Sequence, residues 1–140
     1  MPARIRYSLV AAICGLWVAS LFLPVFDAGG PGWILLAMGW LGIGIGELSW
    51  LANPLLLVLV VLLLPAHIRG SKRFLACAVF LGFVLLREAM RSTIMVNEAG
   101  TLEPVQRFAG CYAWMGAVSL GMIAAAVQWG FASRPAPACG

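Results

Sequence analysis

Apolar runs as long as a bilayer is thick leave a chain few ways to fold, and here they follow one another almost end to end. Residues 7–26 read "YSLVAAICGLWVASLFLPVF"; residues 55–64 read "LLLVLVVLLL"; further runs open at Phe74 and Phe108. A helix needs about 20 such residues to cross the hydrocarbon core. Composition points the same way. The chain is 63% hydrophobic and 10% charged, with a mean hydropathy of +1.00, whereas soluble domains run to about 45–50% apolar and about 25% charged. A domain of 140 residues cannot hide that much apolar surface from water. The expected fold class is an all-α integral membrane protein. It forms one domain, because short connections join the runs.

The expected helices cover about 7–26, 54–66, 74–96 and 108–131. Between the first and second lies a Trp- and Gly-rich segment, 33–52. It holds Trp33, Trp40 and Trp50 beside Gly39, Gly42, Gly44 and Gly46. Tryptophan favours the headgroup boundary, so the segment reads as an interfacial or shallow re-entrant helix, or else as the leaning half of a kinked second helix. In "WLANP", Asn53 followed by Pro54 reads as an N-cap and first helical residue. Residues 132–140, "ASRPAPACG", read as a flexible cytoplasmic tail.

Charge sets the orientation. With four crossings and the N-terminus in the cytoplasm, Arg4, Arg6, Arg69, Lys72, Arg73 and Arg134 all fall inside. Asp27, Glu47, Glu98 and Glu103 fall on or near the outer face, with Arg107 beside them. That is the positive-inside pattern. A fifth crossing over 33–50 would carry "RGSKR" outside against the same rule. The basic, then apolar N-terminus resembles a signal peptide, but no small-x-small cleavage site follows its apolar run, so it reads as an uncleaved first span.

The third run carries the main clue to function, "REAMR" at 87–91. Arg87 and Arg91 are four apart on a helix, and Glu88 is three from Arg91, within pairing reach. Counting back from the turn at Gly70 puts Arg87 level with Asn53 and Arg91 level with Ser49. Glu47, Asn53, Arg87, Glu88 and Arg91 are therefore expected to form a polar layer near the outer interface. Its plain reading is a short helix whose arginines reach lipid phosphate. Its functional reading is a site for an anion, a lipid headgroup or an acidic partner group, which paired arginines favour. Tyr112 and Trp114, in "GCYAWMG" at the head of the fourth run, read as interface aromatics alongside the three tryptophans of 33–52.

Other chemistries find little here. The basic residues flank apolar runs rather than gathering in one patch, which speaks against nucleic acid. Cys14, Cys77, Cys111 and Cys139 form no C-x-x-C pair and read as small, buried, reduced side chains. His67, the single histidine, sits in a turn. The spacing of "GWLGIGIG" permits close helix packing but is not that of a dinucleotide loop. No metal, cofactor or catalytic set is expected.

At "GWLGIGIGELSWLANPLLLVLVVLLL" and "GCYAWMG" the chain resembles a loose group of small four-helix bacterial inner-membrane proteins with a W-ANP element, here Trp50, Ala52, Asn53 and Pro54. The resemblance implies a multi-pass fold in the inner (plasma) membrane and implies no activity. Quinone-coupled disulfide-forming proteins would need cysteine pairs, and small multidrug transporters an acidic residue in the first span. Membrane glutathione-dependent enzymes share the residue types of "REAMRSTIMVNE" but not the spacing. The expected function is a non-enzymatic accessory or assembly subunit. A small transporter or an anion- or lipid-headgroup-binding protein comes next, and a membrane enzyme acting on a lipid-soluble substrate third. Partners are the lipid bilayer and another membrane protein or a second copy of the chain.

Overall fold

The computed structural model describes residues 1–26, 30–64, 72–91, 93–95, 102–104 and 106–132. The turn holding His67 and Arg69, together with Asp27, Glu98, Arg134, Cys139 and the tail from residue 133, lies outside them.

Helix α1 runs Ala3–Phe22. Pro24 ends it by forcing the preceding residue out of the helical region, and Leu23 is extended at ψ 150°. The extended segment that follows is held on both sides. Gly32 donates its N–H to Leu23 O, while Phe108 and Gly110 donate to Val25 O and Pro24 O. Pro24 bridges to Pro31 and Phe26 to Arg107.

The Trp/Gly segment is not one continuous helix. It breaks into helix α2, Gly32–Met38, and two 3₁₀ turns, Gly39–Ile45 and Leu48–Leu51. Each helix-interior glycine costs about 1 kcal/mol relative to alanine, and residues 39–46 contain four. The break at Gly46 has φ +87°, a left-handed conformation that glycine adopts without strain.

The second 3₁₀ turn leads directly into helix α3, Ala52–Leu63. Asn53 is therefore inside the first turn and is not the N-cap, which is Leu51. The preceding 3₁₀ turn starts the helical path early, and Pro54 still falls where its missing N–H would have had no helical partner. Helix α4, Lys72–Ala89, stops well short of the expected end at residue 96. Beyond it Thr93–Met95 (β1) pairs antiparallel with Leu102–Pro104 (β2), Ile94 opposite Glu103; the β-branched Thr93 and Ile94 suit a strand better than a helix end. Helix α5 is Ala109–Ala132.

Helices α1, α3, α4 and α5 alternate in direction. Trp17, Asn53 and Trp114 meet at one level. Deeper, Leu56 lies against Gly121 and Gly82 against Met122; deeper still, Leu59, Ala78 and Ala125 cluster. Chain numbers thus rise along α3 and α5 while they fall along α1 and α4. Helix α5 is central and turns Gly110, Cys111, Ala117, Val118, Gly121, Ala124 and Ala125 inward. Its small residues let neighbouring backbones approach closely. Large apolar side chains point out, including Phe22 (73% exposed), Phe80 (70%) and Leu57 (65%). Cys14 and Cys77 are exposed as well; of the described cysteines Cys111 alone is buried. The apolar runs carrying Cys14 and Cys77 turn those positions outward because the core selects one face of each helix. Helices α1 and α5 are long and apolar enough to cross a membrane.

Candidate functional site: a mixed-charge cavity at one end of the bundle

The ends of α1 and α4 and the beginnings of α3 and α5 meet at the same end of the molecule, with α2 and the two 3₁₀ turns laid across them. They enclose a cavity of about 290 Å³. Leu21, Leu35, Leu36, Phe26, Trp50 and Trp114 supply apolar wall. Ser20, Glu47, Ser49, Asn53, Glu88, Arg91, Arg107 and Cys111 supply the polar groups.

Asn53 fastens the floor. Its Oδ1 accepts the indole N–H of Trp17 at 3.1 Å and that of Trp114 at 3.0 Å, while its Nδ2 donates to Trp50 O at 3.1 Å. One side chain thus ties α1, α3 and α5 together. A half-buried amide of this kind holds its place because leaving its partners unpaired costs more than each bond contributes. Trp50 donates its indole N–H to Leu36 O at 3.0 Å and packs over Gly39, where a Cβ would collide with its ring. Gly32 likewise leaves no room for a Cβ against Ser20 O, so α2 seats directly on the end of α1.

Glu47 is positioned by a Schellman turn. Its N–H reaches back to Gly42 O at 2.9 Å and the N–H of Gly46 to Ile43 O at 3.2 Å, with Gly46 in the left-handed position that closes the motif. The turn folds the Glu47 side chain over Gly42, whose Cβ would lie 3.1 Å from that of Glu47. Among the described residues the Glu47 carboxylate has no ion-pair partner.

The opposite wall is the end of α4. Arg91 Nε meets Glu88 Oε2 at 2.7 Å. The last carbonyls of the helix are well supplied with donors. Met90 N–H is shared between Leu86 O and Arg87 O, and Arg91 N–H goes to Glu88 O. Arg107 comes from outside the helix to donate Nε to Ala89 O at 2.9 Å and Nη2 to Arg91 O. A guanidinium on terminal carbonyls also opposes the negative end of the helix dipole.

Of the expected polar layer, the structure brings Glu47, Asn53, Glu88 and Arg91 to one cavity and leaves Arg87 out. Arg87 borders a shallow groove between α4 and α5 with Phe83, Met90, Met115 and Met122. The four-residue spacing places two side chains on one face only while the helix lasts, and α4 ends at Ala89, between them. The aromatics divide as well. Trp33, Trp40 and Tyr112 are exposed, whereas Trp50 and Trp114 turn inward to hydrogen bonds.

Three residues of the site are not singled out by the sequence pattern. Trp17, beneath the floor, carries a signal in its indole N–H, which an apolar span leaves without water. Arg107 carries one as the lone basic residue among outer acidic ones. Cys111 carries none beyond its place next to Gly110 near the start of the fourth run.

No protein-family model, curated protein or solved structure matches the chain.

Proposed function

We propose that this protein is a non-enzymatic accessory protein of the bacterial inner membrane, crossing it four times with both termini in the cytoplasm. Its mixed-charge cavity holds the polar headgroup of a membrane amphiphile at the outer face.

The observation that carries this reading is the cavity itself: about 290 Å³, apolar on most of its wall, with a few charged groups on facing walls. That combination is typical of small-ligand sites. The lengths of the helices support the crossings. At 1.5 Å per residue α1 extends about 30 Å, α4 about 27 Å and α5 about 36 Å. Helix α3 alone is short, but the 3₁₀ turn Leu48–Leu51 feeding it, at about 2.0 Å per residue, brings the pair to about 26 Å. The hydrocarbon core is about 30 Å thick.

Alternating helix direction suits successive crossings, and the charges suit the orientation. Arg4, Arg6, Lys72 and Arg73 lie at the end opposite the cavity, with no acidic residue beside them among the described residues. Glu47 and Glu88 lie at the cavity end, where they offset Arg91 and Arg107. Outward Phe80, Leu57 and Phe83 over an inward face of small residues is the arrangement expected where the surroundings are lipid.

Native mass spectrometry of the full chain, purified in mild detergent at native expression, tests the function. The expected particle carries one retained amphiphile, which Ser49→Phe displaces by filling the cavity. A particle free of amphiphile, or one whose amphiphile Ser49→Phe leaves in place, contradicts the reading. A second polypeptide in place of the lipid assigns the charged cavity to a protein contact.

A further inference from the structure

We infer that the cavity takes a zwitterionic headgroup, with its phosphate toward the guanidinium groups of Arg91 and Arg107 and a primary ammonium at Glu47. This rests on the reading of the cavity as a headgroup site.

The charges lining the cavity balance: Glu47 and Glu88 against Arg91 and Arg107. Their commitments do not. Glu88 and Arg91 hold each other at 2.7 Å, and Arg107 spends Nε and Nη2 on the carbonyls of Ala89 and Arg91. A guanidinium has five N–H donors, so both arginines keep donors for a phosphate. Among the described residues Glu47 is the one charged lining group with no partner at all, held in place by the left-handed Gly46 turn.

A simple anion entering this cavity would meet the guanidinium donors but would bring its charge toward an unneutralised carboxylate. A simple cation would answer Glu47 and leave the donors empty. A ligand carrying both signs answers both, and the low dielectric near the membrane raises the cost of leaving either unmatched. A primary ammonium fits Glu47 better than a quaternary one because the carboxylate accepts its N–H groups.

The test uses the full chain in mild detergent, offered equal amounts of four lipids with identical acyl chains. Their headgroups are phosphoethanolamine, phosphocholine, phosphoglycerol, and N-acetylated phosphoethanolamine, which keeps the phosphate and loses the cation. Native mass spectrometry reads retention. The phosphoethanolamine lipid is expected to exceed both anionic lipids by at least about fivefold, a modest share of one charge-assisted hydrogen bond. Glu47→Gln is expected to remove that preference and to raise phosphoglycerol retention, because the carboxylate no longer opposes an anionic headgroup. The comparison of lipids on the unaltered chain stands whether or not the variant folds. Equal or better retention of the phosphoglycerol or N-acetylated lipid overturns the inference while the headgroup site survives, and a clear preference for phosphocholine overturns the ammonium–carboxylate contact. If no lipid is held above the level of Ser49→Phe, the headgroup reading fails and the inference with it.

Discussion

Asn53 and Trp114, 61 positions apart in the chain, are joined by a 3.0 Å hydrogen bond from indole N–H to amide oxygen. Trp17 donates to the same oxygen. Removing the amide orphans two indole donors at once. Asn53→Ala should therefore cost about 1–3 kcal/mol, since interhelical bonds inside membranes average about 0.6 and reach about 1.7 kcal/mol each. Reversible unfolding in bicelles measures it. In a double-mutant cycle with Trp114→Phe the two losses should fall short of additive, and strict additivity would show that the bond contributes nothing.

The clasp between the end of α1 and the start of α5 depends on Gly110. A Cβ there would lie 2.7 Å from both Leu23 O and Pro24 O, and backbone atoms cannot step aside as a flexible side chain can. Gly110→Ala should destabilise by about 2 kcal/mol or more, in the range of overpacked cores. Gly15, where an added methyl group would meet nothing within 4 Å, gives the contrast. Gly15→Ala should be neutral or stabilising by up to about 1 kcal/mol through helix propensity. Equal thermal shifts for the two would contradict the packing described.

Arg87 and Arg107 exchange the importance that sequence spacing suggests. Arg107 lines the cavity and closes the end of α4, while Arg87 faces a separate groove. Arg107→Gln should cut amphiphile retention about tenfold and speed amide exchange in the last turn of α4, consistent with losing charge-assisted bonds of about 1.5–3 kcal/mol. Arg87→Gln should leave retention within about twofold, since Arg87 lies outside the cavity. The reverse order, read by native mass spectrometry and hydrogen exchange, would place the ligand in the groove between α4 and α5.

Much of the framework was legible in the chain because apolar run length is a one-dimensional signal. The centres of α1, α3, α4 and α5 and the pairing of Glu88 with Arg91 follow from local spacing; the break at the glycines of 39–46 was not read from it. Nor were the ends. The end of α4 has a local sign in the β-branched Thr93 and Ile94, but Arg107, which caps the Ala89 carbonyl from a distant segment, lies outside any window around residues 74–96. Asn53 illustrates the same limit: "ANP" looks like a helix start, but the side chain is drawn inward by Trp17 and Trp114 from two other helices. Which tryptophans face out is equally non-local. Trp33 and Trp40 are exposed and Trp50 is turned in, because the carbonyl that Trp50 needs belongs to Leu36.

Cysteine chemistry reports the inside and outside of the bundle. Cys14 and Cys77 are exposed on α1 and α4, and Cys111 is buried beside the cavity with its Sγ 3.8 Å from Met115 Sδ. In native membranes a lipid-soluble maleimide should modify Cys14 and Cys77 at least about tenfold faster than Cys111, because access governs thiol reactivity. A charged maleimide should reach neither of the outward pair. Rapid reaction of Cys14 and Cys77 with the charged reagent would mean that these faces meet water.

The central claim, that the charged end of the bundle is a ligand site, is tested most directly by an experimental structure of the full chain purified with its native lipids and held in nanodiscs. The account predicts non-protein density in the space among Glu47, Arg91, Arg107 and Trp50, with an apolar tail leaving toward the membrane. A cavity closed by the protein's own side chains, with no such density, would contradict it.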